Sequence, residues 1–432
     1  MQEPTPNGTA RARILLRVCC ALCASHLAVS ARAHAQEISF DEALALGALS
    51  PAVSGARNVL GARESGDESI GGTTGQTALT YMPGGLVFPP SLANEVTPWE
   101  MQFNVTQGWN LGNLGGARRD AAKDERGVLT AAIRVRALRA RLDAARYWID
   151  LDTLAEIART VDQRIEGAED LVVHAERALS SGEGTAQPLA EARAMLAQLQ
   201  QRRLDLEGEQ FTVAAQLAVA MGRAPSSEPL RTTGDPPTPE LPDVTEIRTR
   251  VDNIDAAPDV VIERLRETAA KARAVEASAQ YAPTLSVGAQ VERSALGTWV
   301  VYGVSGVTFH GAGQDRRWAS IAESEAAGAR ADTVSARLRV RAELEEAMHD
   351  LVHSASVAKL LDEETLPALR KLVTSRERAV ALGEESRFAL IEAHDRELAV
   401  VEAAHRAHGA NNWAQVRLWL LLAELAGGQT QS

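Results

Sequence analysis

The chain has 432 residues, with 45 Lys and Arg against 57 Asp and Glu for a net charge of −12. Nucleic-acid binding draws its affinity from neutralised phosphates, so this acidity excludes a polyanion-binding role. Three cysteines confined to positions 19, 20 and 23 likewise exclude a disulfide-built scaffold.

The first element in chain order is a targeting segment, residues 1–35. Arg11, Arg13 and Arg17 precede an apolar run from Val18 to Val29, and Ala33-His34-Ala35 supplies the small-x-small pattern of a cleavage point. The run falls short of the roughly 20 residues a membrane-spanning helix needs. Arg17-Val18 before Cys19 and Ala21-Leu22 before Cys23 fit poorly with the small residues expected before a lipid-bearing cysteine. Removing residues 1–35 leaves an exported chain without cysteine, holding 41 basic and 56 acidic side chains for a net charge of −15. Acidity of this kind serves solubility.

The remainder reads as two copies of one unit, 36–222 and 244–426, with a short tail at 427–432. Tyr81-Met82-Pro83 recurs as Tyr281-Ala282-Pro283, and Gly115 with Arg118-Arg119 recurs as Gly313 with Arg316-Arg317. "SGEGTAQPLAEA" (181–192) parallels "LGEESRFALIEA" (382–393). The offsets are 200, 198 and 201 residues, and their shared order is the signature of an internal repeat. Between the copies, "RAPSSEPLRTTGDPPTPELPD" (223–243) holds six of the 17 prolines. Proline fixes φ and removes a donor, so this linker is expected to be stiff and extended.

Each copy is predicted to run as a helix, a β-hairpin (about 77–110 and about 283–310), a very long helix, a Gly-containing turn and a returning helix. In the first long helix, about Arg118 to Leu179, one series holds Leu151, Ala158, Ile165, Val172 and Leu179. A second holds Leu154, Val161, Ala168 and Ala175. Spacing that alternates three and four is the pattern of a left-handed coiled coil. At a rise of 1.5 Å per residue the helix is roughly 90 Å long. Its return, about Thr185 to Met221, has Pro188 in the first turn, where a missing N–H costs least. The second long helix, about Arg316 to Leu382, carries Pro367 in its interior, where a bend or break is expected.

The stretch "WEMQFNVTQGW" (99–109) alternates: Trp99, Met101, Phe103, Val105 and Trp109 share one face, and the other is polar. Eleven strand residues tilted in a bilayer cross roughly 25 Å, the height of an outer-membrane apolar band. Gln107 is the one misfit on the apolar row. In the second copy Leu285, Val287, Ala289 and Val291 share a face, and "TWVVYGVSGVTF" (298–309) follows. Trp99, Phe103, Trp109, Trp299, Tyr302 and Phe309 are the expected membrane-interface aromatics. Residues 76–110 and 280–310 hold nine of the 17 aromatic residues. About four strands per chain would leave open edges in lipid, so several chains must share one barrel.

The sequence resembles the TolC-like outer-membrane efflux proteins. The resemblance rests on the duplicated unit, the opening helix "SFDEALALGALSPAVSGAR" (39–57), the Tyr-x-Pro approaches to the strands, Gly-x-x-Arg where strand passes to long helix, and the Gly-Glu turns followed by Leu-x-Glu-Ala. The interruption of the first strand by Pro89-Pro90 departs from the family pattern. The fold implied is mainly α with a small membrane β-barrel part: long antiparallel coiled-coil helices forming an α-barrel tunnel, two structural repeats and four β-strands per protomer, trimeric. The family implies a non-enzymatic duct of a tripartite efflux or secretion system, in the cell outer membrane, without cofactor. Its partners would be two further copies, a periplasmic adaptor, an inner-membrane transporter and outer-membrane lipid.

Carried over by position, the adaptor-docking tips are Leu179, Gly182, Glu183 and Leu189, with Leu382, Gly383, Glu384 and Leu390. Glu191, Glu385 and Glu392 would stand, with Glu183 and Glu384, around the narrow periplasmic end as a gate.

Two features point elsewhere. His349 and His353 sit at i and i+4, a spacing that can ligate zinc, but aspartate replaces the glutamate base of the protease motif and no third ligand is evident. They read as exposed histidines, as do His405 and His408. No GK[ST] phosphate loop occurs, so energy would come from a partner. The competing function is a soluble periplasmic coiled-coil adaptor or scaffold, which would share the helices and the export signal but not the alternating strands.

Overall fold

The computed structural model describes residues 37–67, 75–83, 101–182, 185–226, 230–293, 298–309, 312–385 and 387–427. The targeting segment, Pro89-Pro90, Trp99 and Glu183 lie outside them.

The chain begins with a three-residue strand, β1 (Glu37–Ser39), and helices α1 (Phe40–Gly47) and α2 (Pro51–Asp67). Ser39 caps α1, its hydroxyl accepting from the Glu42 amide. Strands β2 (Gly75–Pro83) and β3 (Met101–Asn110) lead to α3 (Leu114–Ser180), whose 67 residues span about 100 Å. The chain returns along α4 (Ala186–Ala220). In the Pro-rich segment, Arg231–Thr233 forms β4, which pairs in parallel with β1. Helices α5 (Val244–Asp252) and α6 (Pro258–Gln280) precede β5 (Thr284–Arg293) and β6 (Trp299–Thr308). Helix α7 (Ala312–Leu360) continues through a π-helical turn, Leu361–Thr365, into α8 (Leu366–Ala381), and α9 (Arg387–Gly427) returns.

The π-helical turn sits where a break was expected at Pro367. Proline has no N–H for the carbonyl four residues back and its ring clashes there, so the helix widens just before it and restarts with Pro367 in the first turn.

Packing follows the seven-residue seam. Leu151, Leu154, Ala158, Val161, Ala168 and Ala175 are all buried, and α3 lies along α4, α6 and α9. Alanine at these positions lets the helices approach closely. The larger core lies midway along the helices, where Ile38, Phe40, Trp148, Leu217, Val260, Leu344 and Val416 meet. Phe40 packs edge-on against Trp148 with ring centres 5.4 Å apart. A second cluster, including Ile157, Val161, Leu206 and Leu398, runs toward the hairpin ends.

One sequence match does not survive in three dimensions. Tyr281-Ala282-Pro283 leads into β5, but Tyr81-Met82-Pro83 closes β2 at the end far from the helices. The Tyr-x-Pro correspondence therefore marks opposite ends of two strands.

Candidate functional site: a two-faced sheet and two helical tips

Strands β2, β3, β5 and β6 pair in that order, all antiparallel, as one four-stranded sheet. Its register gathers one face from all four strands. Phe103 lies opposite Tyr81 and Val291, Val105 opposite Leu79 and Ala289, Trp109 opposite Leu285, and Val301 opposite Val291. Nothing among the described residues covers this face: Leu79 is 74 % exposed and Val301 68 %. Water does not favour so continuous an apolar surface. The misfit Gln107 has a partner, since Thr77 on β2 donates its hydroxyl to the Gln107 side-chain carbonyl.

The opposite face carries Gln102, Asn104, Thr106, Ser286 and Gln290. Trp299 falls on the apolar face, and Phe309 follows β6, exposed. Tyr302 does not join them. It stands on the polar face and donates its hydroxyl to Glu292 at 2.5 Å. Both rows of β6 are largely apolar, so alternation there did not reveal which face Tyr302 takes.

Junctions pin the sheet to the helices. Asn110 donates to the Ala279 carbonyl at 2.9 Å and accepts from the Gly112 amide at 2.8 Å, and the Leu111 amide reaches the Pro283 carbonyl. The outer strands, β2 and β6, each present one edge without a strand partner among the described residues. No helix among those residues is long and apolar enough to cross a membrane.

At the far end of the helices, α3 ends at Gly182 and α8 at Gly383, both with φ near +76°. Glycine adopts this left-handed conformation without the steric cost of a side chain. At the second tip the Gly383 amide reaches the Val380 carbonyl and the Glu384 amide the Ala379 carbonyl, which closes the helix end. Leu382 is 73 % exposed and Leu179 38 %, whereas Leu189 and Leu390 are half-buried.

The acidic residues near the tips have local partners. Gln187 donates to Glu191 at 2.9 Å, Arg376 lies 3.8 Å from Glu385, and Arg396 lies 2.5 Å from Glu392. Glu384 is exposed beside the turn.

Above the tips, two arginine–carboxylate pairs that the sequence did not announce hold the hairpins together. Arg202 on α4 meets Glu402 on α9 through both carboxylate oxygens, the shortest contact 2.8 Å. Arg164 on α3 meets Glu397 at 2.5 Å and also His394. Histidines placed on the surface by sequence divide. His349 and His353 are exposed, their rings stacked 5.9 Å apart, and no cluster of three metal-binding side chains occurs among the described residues. His408 is exposed, 3.0 Å from Asp362 in the π-helical turn. His405 is instead half-buried and faces the Thr160 hydroxyl at 3.2 Å, and burial lowers its pKa. Burial also raises the carboxyl pKa of Asp150 and Asp152 on α3.

No protein-family model and no curated protein matches the sequence. Solved structures do match. The chain is similar to CusC, whose crystal structures address folding and transmembrane channel formation, at 12 % identity and a TM-score of 0.74 over 91 % of this chain and 95 % of that one. It is similar to the outer-membrane channel OprN at 14 % identity and a TM-score of 0.74, covering 89 % of each chain. The outer membrane protein VceC from Vibrio cholerae matches at 14 % identity and a TM-score of 0.70, over 89 % of this chain and 95 % of that one. Identities this low speak for architecture, and the fold of this chain is that of the TolC-like outer-membrane efflux channels.

Proposed function

We propose that the chain is one subunit of a passive, non-enzymatic export duct in the outer membrane, exported by its leading segment. One observation carries the reading: a sheet whose apolar face and two outer edges are uncovered among the described residues sits at the end of helices about 100 Å long. Lipid satisfies the face, and identical neighbours satisfy the edges, because unpaired backbone groups in hydrocarbon cost several kcal/mol each. Three copies would give twelve strands, an even-numbered barrel in the range such proteins use. The helices, two repeats per chain, would continue it as a tunnel across the periplasm.

The tips around Gly182 and Gly383, with Leu179 and Leu382 exposed beside them, would dock to a periplasmic adaptor serving an inner-membrane transporter. Glu191, Glu385 and Glu392, with Glu183 and Glu384, would stand near the narrow end as a gate. The solved channels with this fold support the reading.

Fractionation and bilayer recording test it together. The expected result is recovery in the outer-membrane fraction, heat-modifiable migration in detergent and a pore in planar bilayers. A water-soluble monomer released by osmotic shock, with no pore, would instead favour the periplasmic adaptor or scaffold.

A further inference from the structure

Among the described residues the four-stranded sheet carries two charged side chains, Glu292 and Arg293, adjacent in sequence and parted by the pleat. Both lie at the end of β5 far from the helices, since the strand leaves α6 at Thr284 and runs outward to Arg293. Arg293 takes the apolar face, its guanidinium 5.9 Å from the centre of the Trp299 ring. Glu292 takes the polar face, where every other described side chain is uncharged.

Two details leave the Glu292 charge uncompensated. Its hydrogen-bond donor is the Tyr302 hydroxyl, a neutral group that orients the carboxylate without cancelling it. Arg293 is on the other side of the sheet, and no lysine or arginine among the described residues forms an ion pair with Glu292. The tip carboxylates Glu385 and Glu392, by contrast, each face an arginine.

We infer that Glu292 sets the charge preference of the outer mouth, its carboxylate, the one anionic side chain among the described residues of the sheet, making that rim favour cations over anions. The inference rests on the duct reading, which puts the polar face toward water. A fixed charge on such a wall acts over about 10 Å at 0.1 M salt, and the low-dielectric sheet behind it concentrates the field on the aqueous side. Cationic and neutral cargo would leave past this rim more readily than anionic cargo.

The test is the reversal potential of the full-length protein in planar bilayers under a dilute KCl gradient. The wild type is expected to prefer potassium, Glu292→Gln to lose most of that preference, and Glu292→Lys to reverse its sign. Residues 37–432 contain no cysteine, so in the processed chain Glu292→Cys offers a single labelling site on a channel already assembled. An anionic thiol reagent should restore the preference and a cationic one invert it. A conducting Glu292→Gln channel with the wild-type reversal potential, or a labelled Cys channel indifferent to the reagent's charge, overturns the inference. A wild-type protein that never conducts overturns the duct reading instead.

Discussion

Trp148 donates its indole N–H to the carbonyl of Ile38 across 3.0 Å, and both residues are fully buried. The bond fastens β1, and through it β4, to the middle of the longest helix. Trp148→Phe keeps an aromatic ring against Phe40 but removes the indole donor from a buried carbonyl, at a cost of about 1 kcal/mol. The expected outcome is loss of hydrogen-exchange protection in β1 and β4 before any loss in the long helices.

The turn glycines should differ in their tolerance of alanine. Gly182 and Gly383 have positive φ, but a Cβ on either would meet no atom within 4 Å, so each Gly→Ala change should cost about 1–2 kcal/mol. Gly222 has the same φ, and its Cβ would lie 2.2 Å from the Pro51 ring. Gly222→Ala should therefore lower the unfolding midpoint further than either tip variant. Equal midpoints for all three would contradict this.

Arg202 and Glu402 are largely buried, with side chains 26 % and 11 % exposed. Glu402→Ala leaves the guanidinium without its main partner and should cost about 2 kcal/mol or more. Replacing both by apolar residues, Arg202→Met with Glu402→Leu, should cost less than Glu402→Ala alone, because neither charge is then left to be desolvated. A double-mutant cycle with strictly additive losses would show that the pair does not couple.

His405 should make the protein acid-sensitive. Burial disfavours its charged form, so its folded pKa lies below the ordinary value of about 6.5. Between those two values the unfolded chain binds more protons, so stability rises with pH through that window. The contribution is complete above the unfolded pKa and is lost as the pH falls toward the folded one. His405→Gln, which can still hydrogen-bond Thr160, should flatten the stability profile just below pH 6.5 relative to wild type. Chemical unfolding at closely spaced pH values measures the difference.

How much of this was legible in the chain differs from element to element. The alternation around Phe103 and Val105 and the seam from Leu151 to Ala175 could be read directly, because a period of two or seven is local and neighbouring residues repeat it. Pro367 likewise announced its own break. The face of Tyr302 was not legible, since β6 is apolar on both rows. The half-burial of His405 was hidden too, because its partner Thr160 lies 245 residues earlier.

By itself, then, the sequence determined helix length, strand alternation and the turn glycines, all consequences of backbone sterics and short-range patterning. The tertiary structure decided what no local pattern encodes. It joined Trp148 to Ile38 and Arg202 to Glu402, turned the Pro-rich segment into a strand beside β1, and sorted Glu292 and Arg293 onto opposite faces of one sheet. Those outcomes depend on which distant surfaces exclude water from one another, and that is settled only when the whole chain packs.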